Sequence, residues 1–81
     1  MTRDEARSLM LRSLAEIAPE VDPEAIDPAT PLRDQVDLDS MDFLNLVTAL
    51  SEEAGSDIPE SDYPALDTLD SASEYLAGIA R

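Results

Sequence analysis

An all-α fold, a small four-helix bundle of three main helices and one short one with a long loop after the first helix, is the class that this 81-residue sequence predicts. Three observations carry that expectation. Apolar residues recur at helical spacing in three separate segments, no segment alternates apolar and polar residues as a half-buried strand does, and only two glycines interrupt the chain. The formal net charge of -14 belongs to the composition of disorder, but a chain that is 43% hydrophobic with its apolar residues in register is built to bury a core. One domain spanning residues 1-81 is expected, because so short a chain cannot fill two cores.

The elements follow in order. Thr2 and Glu5 form a capping-box pair, and Ala6, Leu9, Met10, Leu14 and Ile17 make one stripe behind it, so a first helix starts beside Arg3 and ends at Pro19. Pro23, Pro28 and Pro31 then punctuate a long loop up to Leu38. Val21, Ile26, Leu32 and Val36 recur there without a helical period and are expected to pin the loop against the helices. Asp39 offers a cap to a second main helix from about Ser40 to Glu53, with Phe43, Leu46, Val47, Leu50 and Ala54 on one face and Gly55 as its stop. A minor helix of a turn or two fits around Tyr63, Pro64 and Leu66. Thr68 or Ser71, the latter followed by Glu74, caps a last helix striped by Leu69, Ala72, Tyr75, Leu76 and Ile79.

Composition excludes several function classes. Nineteen acids against five arginines, with no lysine, leave no cationic patch for nucleic acid or for an anionic bilayer, so the partners should be basic proteins. Without His or Cys there is no common general base, thiol nucleophile or zinc ligand. Asp37, Asp39 and Asp42 do not make a calcium loop, because Met41 and Asp42 stand at its fifth and sixth positions, where an oxygen ligand and a glycine are needed. A chain of this size builds too little cleft for paired-carboxylate hydrolysis. No apolar run reads as a signal or membrane span, and the absence of cysteine fits a reducing cytoplasm, where a monomer is expected.

Ser40 is the residue with two readings. Asp-Ser is a favoured helix start, since both side chains can satisfy orphan amides. A hydroxyl at an exposed helix amino terminus is also an attachment point where free N-H groups and the positive end of the helix dipole accept a phosphate. No histidine can activate Ser40, so another enzyme would have to modify it.

The run Leu38-Asp39-Ser40-Met41-Asp42, continuing through Phe43 to Glu53, resembles the signature of acyl carrier proteins, as do Asp57-Ile58-Pro59-Glu60 and the segment Thr68 to Leu76. The resemblance covers nearly the whole chain. It implies a non-catalytic carrier with 4'-phosphopantetheine esterified to Ser40 beside Asp39, loaded by a phosphopantetheinyl transferase. The arm would supply the thiol that the sequence lacks and hold acyl groups as thioesters for fatty acid, lipid or polyketide-type enzymes with basic docking patches. By the same resemblance Met41, Asp42, Leu44, Asn45, Thr48 and Glu52 would face partners. Phe43, Leu46, Val47, Leu50, Ile58, Leu66, Leu69 and Tyr75 would wall an acyl pocket, and they are equally readable as plain core.

Four positions depart from the family pattern: Asp37 where glycine is usual, Asn45 and Ser51 where acids are usual, and Ala54 where a large aromatic is common. They suggest a specialised carrier. An aminoacyl or peptidyl carrier, or an unmodified acidic interaction domain in which Ser40 is only a helix-start residue, are the alternatives.

Overall fold

Thr2 opens the first helix by accepting the Glu5 amide at 3.1 Å while the Glu5 carboxylate accepts the Thr2 amide at 2.8 Å. These bonds from Thr2, the backbone one foremost, hold the Glu5 carboxyl below its ordinary pKa. The computed structural model describes residues 1–80, and all of its regular structure there is helical: α1 (Arg3–Ile17), α2 (Leu32–Gln35), α3 (Ser40–Ala54) and α4 (Leu69–Ile79), with 3-10 helices at Pro23–Ala25 and Glu60–Leu66. The three long helices stand close to the expected bounds, and α1 packs against both α4 and α3.

The stripes read from the sequence form the core. Leu9, Met10 and Leu14 of α1, Leu46 and Leu50 of α3, and Leu69 and Leu76 of α4 are all buried in it. Burying a side chain of this size contributes about 1.5–3 kcal/mol, which is how so short a chain offsets its ordering entropy. Ile17, Phe43 and Ile79, at the ends of their stripes, and Tyr75, within its own, are only half-buried. Thr68, rather than Ser71, is the cap of α4. Its Oγ1 accepts the Ser71 amide at 3.1 Å, and Glu74 instead lies 3.9 Å from Arg3, which also approaches Asp70 at 3.6 Å. These pairs are exposed and add little stability.

The long loop contains more structure than its spacing shows. Asp22 caps the first 3-10 turn by accepting the Glu24 amide at 3.0 Å, with Pro23 pre-set for its first position. Pro31 leads into the single turn of α2, closed by the Val36 amide donating to the Leu32 carbonyl at 2.8 Å. One turn is too short to display an apolar period, so α2 leaves no repeat in the sequence. Ile26, Leu32 and Val36 are buried and Val21 packs beside them, so the loop is pinned as expected. A polar device adds to this. Gln35 accepts the Asp27 amide at 2.7 Å and donates to the carbonyls of Asp27 and Thr30, both at 2.9 Å. The far end of the chain is joined in as well, since Leu32 donates its amide to the Asp67 carbonyl at 2.8 Å and Asp70 donates to the Pro28 carbonyl at 3.0 Å.

The 3-10 helix Glu60–Leu66 is fastened to α4 at two points. Tyr75 donates its hydroxyl to Asp62 at 2.6 Å, and Ser71 donates to the Ala65 carbonyl at 2.7 Å. Partial burial, and then the Asp62 bond and charge, push the Tyr75 phenol up to about 12. At the other end of α3, Gly55 stops the helix in the left-handed region at φ 70°, its amide donating to Ser51 at 3.0 Å.

Two outcomes are expected. Gly55→Ala places a Cβ on a left-handed residue and lowers the urea midpoint by the equivalent of about 1 kcal/mol. Because the folded-state Tyr75 pKa is raised, its contribution is complete below the ordinary tyrosine pKa of about 10 and is lost as pH rises through about 12. Melting temperatures across that window should fall more steeply for the wild-type chain than for Tyr75→Phe.

Candidate functional site

The site begins with the cap of α3. Asp39 holds extended backbone geometry, its carboxylate accepts the Asp42 amide at 2.8 Å, and its own amide donates to the Asp42 carboxylate at 3.4 Å. The two acids closest to Ser40 are thus engaged with each other's backbone. Ser40 takes no part in this box. It occupies the first helical position, exposed, with its hydroxyl outside the cap. A helix gives its first amides no internal acceptor; Asp39 satisfies that of Asp42, which leaves those of Ser40 and Met41 at the positive end of the dipole. The chemistry on offer is a free primary alcohol in a setting that tolerates an added phosphodiester.

Beside Ser40 runs a cleft of about 1050 Å³, open to solvent, between α3 on one side and α2 and the 3-10 helix Glu60–Leu66 on the other. Ser40, Phe43 and Leu46 line it from α3 at intervals of one turn, and Leu32, Tyr63 and Leu66 face them across it. Phe43 meets Tyr63 edge-on, with ring centroids 5.4 Å apart and planes at 72°. The cleft also carries charge, including Arg33, Asp34, Glu60 and Asp67.

The structure does not bring the sequence-predicted site residues together in one place. Phe43, Leu46 and Leu66 line the cleft, whereas Val47, Leu50, Ile58 and Leu69 lie in the buried core and Tyr75 braces the wall from behind through Asp62. Met41, Leu44, Asn45 and Thr48 form an exposed ridge on α3 at helical spacing, with Asp42 half-buried in the cap. Met41 is 66% and Leu44 46% exposed, which makes them the large apolar side chains most open to solvent on that helix. Leu44 also borders the cleft, and Thr48 turns its hydroxyl back to the Leu44 carbonyl at 2.9 Å. Glu52 lies one turn further along the same face, where it borders a recess with Arg12, Glu16 and Glu53.

Sequence reasoning did not assign Leu32, Arg33, Leu38, Tyr63 or Pro64 to a pocket, yet all five line the cleft. Leu32 and Tyr63 stand on separate short elements, which the Leu32 to Asp67 backbone bond joins into one side of the cleft. Of the unusual positions, Asp37 needs no glycine, because no non-glycine residue among the described residues has a positive φ. Ala54 is fully buried, and Asn45 stands in the open on the ridge.

Comparison with known proteins agrees with this architecture. The family model described as a phosphopantetheine attachment site matches residues 9–76. Acyl carrier protein 2, mitochondrial, from Arabidopsis thaliana is 33% identical over 57 residues, which are 70% of this chain and 45% of that protein, so the match spans less than half of the plant protein. An acyl carrier protein from Thermosynechococcus vestitus is 32% identical over 56 residues, 69% of each chain, and one from Rubrobacter xylanophilus is 27% identical over 73 residues, 86% of this chain and 90% of that one. With a family model matched from within α1 into α4 and relatives aligned over most of its length, the chain belongs to the acyl carrier proteins, non-catalytic carriers that work through a 4'-phosphopantetheine prosthetic group.

Proposed function

We propose that Ser40 is the attachment residue, and that residues 1-81 act as one cytoplasmic carrier domain for thioester-bound acyl groups. The observation that carries this reading is the exposed Ser40 hydroxyl at the first position of α3, outside the Asp39–Asp42 cap and at the mouth of a cleft. The group, when bound, supplies the thiol. The chain's own residues do the rest: Asp39 fixes the helix start, the amides of Ser40 and Met41 would be available to a phosphodiester at Ser40, and the α3 ridge would present the modified serine to enzymes.

The ridge supports docking by charge and by fit. Acids distributed over a chain of net charge -14 raise the encounter rate with basic patches on a phosphopantetheinyl transferase and on acyl-loading, condensing or acyl-transferring enzymes. Met41 and Leu44 then supply apolar contact area next to Ser40. Lys and Arg are absent from α3, so nothing on that helix opposes a basic partner. Among the described residues no helix is long and apolar enough to cross a membrane.

Co-expression with a broad-range phosphopantetheinyl transferase should add one phosphopantetheine mass to the intact wild-type protein and none to Ser40→Ala. A folded wild-type chain that gains nothing excludes the carrier reading. The neutral Asn45 motivates a second measurement: Asn45→Glu should raise kcat/KM with fatty-acid-synthesis enzymes about two- to threefold at low salt, and the gain should vanish as salt is added.

A further inference from the structure

A pair of aromatic rings, one from each side, spans the cleft beside Ser40. Along α3, Phe43 lies one turn in from Ser40 and Leu46 a second turn in, about 4.5 and 9 Å along the axis. A group advancing along α3 from Ser40 therefore meets Phe43 before Leu46, which with Leu32 and Leu66 makes up the buried part of the lining. Phe43 is not alone there, since Tyr63 from the opposite wall stacks against it edge-on at 5.4 Å. Tyr63 is also held from both sides along its own segment. Asp62 before it receives the Tyr75 hydroxyl at 2.6 Å, Ala65 after it receives the Ser71 hydroxyl at 2.7 Å, and Pro64 between them fixes its own φ. The lining around the rings is mixed, with Arg33, Asp34, Asp39, Glu60 and Asp67 set among Leu32, Leu38 and Leu44.

We propose that Tyr63, closed on Phe43, sets the cargo limit of this carrier: short or polar acyl groups ride at the surface, and long aliphatic chains are kept out of the interior. The inference rests on the carrier reading above. Five charged side chains interrupt the apolar lining, and an aliphatic tail advancing along α3 to Leu46 must first separate an edge-on ring pair whose Tyr63 segment is braced. Tyr63 is thus a specificity-determining residue, while Asp62, Tyr75 and Ser71 are positioning residues behind it.

The test uses holo protein loaded with butanoyl or octanoyl thioester and follows two readouts, the rate of thioester cleavage by hydroxylamine and the melting temperature. In the wild type both thioesters should be cleaved at the same rate, and octanoyl loading should leave the melting temperature unchanged. In Tyr63→Ala the octanoyl thioester should be cleaved about fivefold more slowly and should raise the melting temperature, with the butanoyl thioester unaffected. Tyr63→Phe keeps the ring and should behave as wild type. Tyr75→Phe, which leaves the cleft lining intact, should shift octanoyl protection part of the way. Wild-type protection of octanoyl equal to that of Tyr63→Ala, or no protection in either, overturns the proposal. Should Tyr63→Ala not fold, Tyr63→Leu carries the same test. A folded protein that cannot be loaded at Ser40 overturns the carrier reading instead, so the two failures are distinguishable.

Discussion

The reciprocal bonds between Asp39 and Asp42 are the constraint on which the rest of the site depends. They end the loop and start α3 at one residue, and in doing so fix Ser40 at the first helical position with its hydroxyl outward. The same register places Phe43, Leu46 and Leu50 inward and Met41, Leu44 and Asn45 outward. A start one residue later would rotate each of these positions by about 100° and exchange core for ridge. Because both carboxylates are occupied by amides, the acids nearest the serine act as structural caps first and as surface charge second.

The long connection before α3 solves a related problem. A chain with this few residues cannot leave twenty of them idle, and three buried side chains together with the Gln35 clamp turn the loop into a wall of the core. Its backbone bonds to Asp67 and Asp70 join the middle of the sequence to the end. The cleft exists because α2 and the 3-10 helix Glu60–Leu66 are tied to each other and to α4 rather than to α3, so that space remains along the α3 face next to Ser40.

What could be read from the sequence divides along physical lines. Helices of three or four turns repeat their apolar residues often enough to be seen, and their caps are local pairs, so α1, α3, α4 and the position of Ser40 were all legible. The single turn of α2 was not, because it holds one buried residue and no period. Pocket and core could not be separated either: Leu46 and Leu50 share a stripe, yet only Leu46 reaches the cleft, a distinction made by elements distant in sequence. Tyr63 is the clearest case. Its neighbours in the chain announce a short helix, and its stacking on Phe43 depends on bonds made by Tyr75 and Ser71.

The placement of the two tyrosines has an optical consequence. The chain has no tryptophan, one phenylalanine and two tyrosines, and both tyrosines contact the cleft wall, Tyr63 from within it and Tyr75 from behind. Near-ultraviolet circular dichroism and intrinsic fluorescence from this protein therefore originate almost wholly at one wall of one cleft. The molecule carries an unlabelled reporter in the cleft beside Ser40.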